Sequence, residues 1–84
     1  AELRAATDEE LRALRLKSGV KVSAVNGGKF RASGIREGFI ITRIDQQPVS
    51  GPADVEKALA SKRGGVLVEG VYPNGMKAYY GLGL

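Results

Sequence analysis

The sequence predicts a small α+β fold, a partly open β-barrel or sandwich of about five short strands capped by two helices. Three observations carry this. Short runs of β-branched and aromatic residues recur along the chain, as strands on a half-buried surface require. Two stretches carry helix-start residues and apolar spacing of three and four instead. At 84 residues the chain forms one domain. A domain of this size buries only roughly 60% of the surface its unfolded chain exposes, enough for one core and not two.

The pattern centres on residues 33–49. Gly34 and Gly38 bracket a short connection, and Phe39-Ile40-Ile41-Thr42-Arg43-Ile44 follows as a strand. It is apolar on both alternate faces, so it is expected inside the sheet with cover on both sides. Asp45-Gln46-Gln47-Pro48 ends it with turn chemistry.

In chain order, residues 1–6 permit a strand with alternating faces around Leu3. Helix propensity alone allows a helix there, but a clear helix start follows at Thr7. Thr7-Asp8-Glu9-Glu10 has the capping-box pattern, with three acids at the positive end of the helix dipole. Leu11 and Leu14 share a face, and Lys17-Ser18-Gly19 is the expected stop. Val20-Lys21-Val22 opens a strand by strict alternation. Asn26-Gly27-Gly28 reads as a turn. A lone Gly-Gly lacks the spacing of a phosphate loop. Phe30-Arg31-Ala32-Ser33 suits one helical turn, stopped by Gly34 in a left-handed position, with Ile35 entering the core just after it.

Beyond the central strand, Pro48-Val49 resumes it briefly. Ser50-Gly51-Pro52 then opens a second main helix, with Val55, Ala58 and Leu59 as its buried stripe. Lys62-Arg63-Gly64-Gly65 is its expected end. Residues 66–72 read as a strand. Pro73-Asn74-Gly75 reads as a hairpin turn. Residues 76–84 return as the last strand, with Tyr79 and Tyr80 on opposite faces.

The composition narrows function by exclusion. With no cysteine and no histidine, a disulfide framework, thiolate metal sites and imidazole general bases are absent. Ser18, Ser23, Ser33, Ser50 and Ser61 therefore have no histidine to activate them, so catalysis by this segment is not expected, nor a cofactor or metal. The net charge is +4, but the 13 Lys and Arg are scattered from Arg4 to Lys77. Such scatter fits a hydrated surface better than a nucleic-acid footprint. No apolar run approaches the ~20 residues of a membrane span, so neither nucleic acid nor membrane insertion is expected. The chain opens at Ala1-Glu2-Leu3 without Met, which reads as a piece of a larger chain.

Several separated motifs agree in order with a known family. Ser18-Gly19-Val20-Lys21-Val22, Phe30 through Gly38, Ile40-Ile41, Gln47-Pro48-Val49, Asp54-Val55 and Leu59 together resemble a PDZ domain. The order is similar to the bacterial, circularly permuted type found in HtrA/Do-type (DegP- and DegQ-like) serine proteases. Leu3-Arg4 and Thr7-Asp8-Glu9 resemble the second, C-terminal PDZ of such proteases. The resemblance covers nearly the whole chain. It implies a periplasmic or cell-envelope protein of protein quality control, with a serine protease domain upstream. It also implies a non-catalytic module whose partners are C-terminal or unfolded polypeptide segments, or other domains and protomers of the parent protease.

In that family a ligand adds as a strand between an exposed strand edge and a helix. Carried over residue by residue, Glu2, Leu3, Arg4 and Ala5 offer the strand edge and Ala1 an amide to the carboxylate loop. Leu3 and Leu59 line the pocket for the last ligand residue, and Pro52 and Glu56 face the ligand further upstream. Pro52 stands where hydroxyl-selective members have histidine, and Glu56 suits a basic ligand residue. The alternative is a structural assembly domain in which Leu3 and Leu59 are core residues and residues 1–6 a covered edge. Two departures stand out. Phe39 replaces the family's usual aspartate, which predicts an altered turn or an exposed contact surface. The family's carboxylate loop, roughly Leu-Gly-apolar just before the first strand, is represented here only by its last residue, Ala1. Gly81-Leu82-Gly83-Leu84 looks like that motif but reads as a coincidence that closes the final strand, on the wrong end of the groove.

Overall fold

A computed structural model describes residues 1–25, 27–61 and 64–83. The elements run β1 (Glu2–Ala5), α1 (Asp8–Ala13), β2 (Val20–Ala24), α2 (Gly28–Ser33), β3 (Ile40–Ile44), β4 (Gln47–Pro48), α3 (Pro52–Ala60), β5 (Gly65–Val71) and β6 (Lys77–Gly83). All strand pairings are antiparallel. The sheet order is β1-β2-β3-β5-β6, with two-residue β4 paired to β3. Relative to the sequence reading, the expected single turn at Phe30 is a six-residue helix, and the brief resumption at Pro48 is a paired strand.

The central strand is covered on both faces, as its composition required. Ile41 and Ile44 join the main core with Val20, Val22, Phe30, Ile35, Val55, Val68 and Leu82. Ile40 is equally buried but points the other way, beneath α1. A Cβ on Gly19 would lie 2.6 Å from the Ile40 Cγ2 and 3.6 Å from a Leu11 methyl, so only glycine lets the chain pass between them.

The start of α1 follows the capping box. Glu10 N–H donates to Thr7 Oγ1, and Thr7 N–H donates to Glu10 Oε1. Its end departs from expectation. The helix stops at Ala13, not near Gly19. Leu16 N–H reaches back to Leu11 O and Arg15 N–H to Arg12 O, a Schellman closure. Arg15 occupies its left-handed position at φ 56°, where glycine is usual. The two closing hydrogen bonds hold Arg15 there despite the preference for glycine. By contrast, α2 closes on Gly34 at φ 97°, with Ile35 buried after it, as expected.

Asp45 and Gln46 form the two-residue turn between β3 and β4, both at positive φ. The β5–β6 turn is not the two-residue type that Asn-Gly alone suggests. Gly75 N–H bonds Tyr72 O across Pro73 and Asn74, and Gly75 itself takes φ 88°. Pro73 precedes Asn74 in the turn, and its fixed negative φ excludes the type I′ geometry. Tyr79 faces solvent and Tyr80 the interior.

Phe39 corrects the sequence reading. It is fully buried and exposes no contact surface. Its ring lies 4.8 Å from Tyr72 and 5.2 Å from Tyr80, the latter edge-on. Gly70 on β5 makes room: a Cβ there would collide with the Phe39 ring and the Ile40 carbonyl. The preceding turn still forms, with Gly38 at φ 96° and Phe39 N–H donating to Arg36 O. The expected stop at Lys62-Arg63, the turn residue Asn26 and the final Leu84 lie outside the described residues. β6 nevertheless runs through Gly81 to Gly83, so that segment closes the last strand as read.

Candidate functional site

β1 is an edge strand. Among the described residues its one sheet neighbour is β2, and helix α3 approaches it from the side of the main core. Which backbone groups it leaves open follows from the register. Leu3 pairs with Val22 and Arg4 with Lys21. Both polar backbone groups of Val22 are engaged on the β3 side: its N–H donates to Phe39 O and its carbonyl accepts from Gly38 N–H, each at 2.8 Å. Ala6 N–H donates to Gly19 O. Antiparallel pairing alternates, so Arg4 and Ala6 turn their backbone groups toward β2. Leu3 and Ala5 turn their N–H and C=O groups outward, to the open edge, where the Ala5 carbonyl accepts from Arg4 Nη1 at 3.1 Å.

Side chains alternate the other way. Leu3 packs against the core, and so does Leu59 of α3. Arg4 points to the opposite face, where its guanidinium grips the Glu10 carboxylate at 2.9 and 3.0 Å. Lys21 Nζ reaches the same carboxylate at 2.6 Å. Glu10 thus fastens β1 to β2 and α1 in one cluster. The Arg4 and Lys21 hydrogen bonds, in that order, hold its carboxyl well below the usual carboxylate range. The candidate edge strand is therefore anchored from behind. Sequence reasoning assigned Glu10 to capping alone; the capping-box position was the only local signal of its second role.

On α3, Gly51 is the N-cap and Pro52 occupies the first turn. No side chain caps the helix from Gly51. Instead Asp54 reaches back and accepts from Ser50 N–H and Ser50 Oγ, both at 2.9 Å. These bonds lower its carboxyl from the ordinary value. At about 100° per residue, Pro52, Glu56 and Leu59 fall within roughly 60° of one another, on the flank of the stripe that buries Val55. Val55 is fully buried and Glu56 exposed.

The eight residues singled out in the sequence thus divide. Leu3 and Ala5 present backbone at the edge, and Leu59 sits half-buried on the facing helix, with Pro52 and Glu56 along the same strip. Ala1 and Glu2 are exposed at the start of the strand, where a bulge interrupts the register between Glu2 and Leu3. The Arg4 side chain belongs to the Glu10 cluster and also donates to the Ala5 carbonyl, while its backbone faces β2.

No family model matches the sequence, and no curated protein matches it. Among solved structures, it is similar to the crystal structure of the HtrA3 PDZ domain bound to a phage-derived ligand, FGRWV. The superposition has a TM-score of 0.81 at 19% identity and covers 98% of this chain and 78% of that one. The chain has a PDZ fold resembling that of an HtrA PDZ domain.

Proposed function

We propose that this domain is a non-catalytic peptide-binding module that captures an apolar C-terminal or extended polypeptide segment by strand addition to β1. The observation that carries this is the open edge beside α3, where Leu3 presents outward N–H and C=O groups and Ala5 an outward N–H. A ligand strand seated there gains backbone hydrogen bonds for affinity, while alternate side chains meet the α3 flank for selectivity. Leu3 and Leu59 line the pocket for its last side chain, Ala1 adds an amide to the carboxylate site, and exposed Glu56 favours a cationic residue upstream. The ligand FGRWV in the similar HtrA3 structure ends on an apolar residue and carries an arginine, which is consistent with this assignment.

One added strand buries little surface, so the expected affinity is modest, about micromolar to millimolar. Titrating a peptide ending in valine against its amidated twin tests the reading. Tighter binding of the free acid supports carboxylate capture, and equal affinity rules it out. A second reading is favoured by the partial burial of Leu3 and Leu59 against the core. In it the domain is a structural module for assembly of protease protomers, its groove closed, and it binds neither peptide. We further propose, from the sequence resemblance, an envelope serine protease as parent, with the protease domain upstream. A catalytic serine motif encoded upstream of Ala1 is the expected finding, and its absence removes that parent.

A further inference from the structure

We infer that the domain carries a second, independent site for an acidic peptide segment, in the cleft between the end of α1 and the outer face of β3, β5 and β6. The cleft holds about 630 Å³, within the ~300–1,000 Å³ typical of ligand pockets. Leu14, Leu16 and the exposed Tyr79 give it apolar walls, and Arg15, Lys17, Arg43 and Lys77 surround them. Against these four cations stands one carboxylate, Glu69, which pairs in register with Arg43. None of the four cations forms an ion pair among the described residues. The cations come from three separate parts of the chain, so the concentration of positive charge is a product of the fold. It escaped the sequence reading because no run of cations marks it.

A second observation points to the same place. Arg15 is held in the left-handed region at φ 56°, at a helix end where glycine would be unstrained. The hydrogen-bonded closure of α1 thereby places a cation at the rim of the cleft. Charge complementarity selects an anionic occupant. The concave shape and apolar walls favour an extended acidic peptide with an apolar side chain, rather than a membrane surface, which meets protruding apolar residues. Duplex nucleic acid is favoured less, since the cations line a pocket instead of a broad stripe. The site does not depend on the β1 edge: amidation removes carboxylate capture there, and the position of the amide shifts separates the cleft from strand addition.

The test uses the 84-residue chain and two N-terminally fluorescein-labelled, C-terminally amidated octapeptides, each with two central leucines, flanked by glutamates in one and lysines in the other. Saturable anisotropy binding of the glutamate peptide alone is expected, with amide shifts at Arg15, Arg43, Lys77 and Tyr79. The double variant Arg43→Glu/Lys77→Glu is expected to weaken it by about tenfold. The Arg15→Gly variant is expected to weaken binding by about threefold while leaving the melting temperature unchanged or higher, which separates binding from folding. Equal binding of both peptides, indifference to the charge reversals, or shifts confined to β1 and α3 overturn the inference. So does tighter capture by phosphatidylserine vesicles or a DNA duplex at the same ionic strength.

Discussion

Single side chains settle several questions in this domain. The burial of Phe39 is possible because residue 70 is glycine. Since the obstacles include a backbone carbonyl as well as the ring, Gly70→Ala cannot relax by a rotamer change. It is expected to cost about 3 kcal/mol, the upper end for overpacking, measurable as a lower denaturant midpoint with unchanged slope. Gln46 poses the opposite case. It holds φ 70° in a turn whose second position favours glycine. Gln46→Gly is therefore expected to stabilise the domain by up to about 1 kcal/mol, read as a higher midpoint in the same assay. The dipeptide's turn character was legible in the sequence; the strain at its second residue required the backbone angles.

Among the elements, β1 and α1 are coupled through Glu10. Thr7→Ala removes one half of the capping box and is expected to cost about 1 kcal/mol by denaturation. β1 gives a sharper test of strand addition. The Ala5 N–H points to the open edge, so proline there removes no sheet bond, the one strand context that tolerates it. Ala5→Pro is expected to lower stability by less than about 1 kcal/mol yet weaken a valine-ending peptide by at least about tenfold. Arg4→Pro, facing β2, is expected to destabilise the fold itself. Retained peptide affinity in a folded Ala5→Pro domain would remove β1 as the docking edge.

At the scale of the molecule, stability is expected to fall at both ends of the pH range. The folded pKa of Glu10 is depressed by Arg4 and Lys21, and that of Asp54 by Ser50. Below the ordinary carboxylate range of about 4 the unfolded chain binds these protons first, so stability present at neutral pH is lost as pH falls toward the folded values. Tyr80 works in the other direction. Burial, then the hydrogen bond with Tyr72, pushes its phenol up to about 12. Its contribution is intact below the ordinary phenol value of about 10 and is lost as pH rises through that interval. Thermal melts across pH should show both wings, with Glu10→Gln flattening the acid one and Tyr80→Phe the alkaline one.

What the sequence determined by itself was local. The capping box at Thr7, the Gly34 stop, the turn at Pro73 and the two-sided apolar strand all follow from side-chain chemistry within a few residues, and each formed. The two helix ends differ because Gly34 meets a left-handed position directly, whereas Arg15 is placed there by a hydrogen-bonded closure that spacing alone did not signal. Tertiary structure decided what depends on residues far apart in the chain. Register turned Leu3 and Ala5 outward, a glycine 31 positions away buried Phe39, and sheet order gathered Arg15, Lys17, Arg43 and Lys77 around one cleft. The physical reason is that capping and turn preferences act over a few bonds. Edge exposure, ring burial and charge clustering are set by which strands pair and in what register.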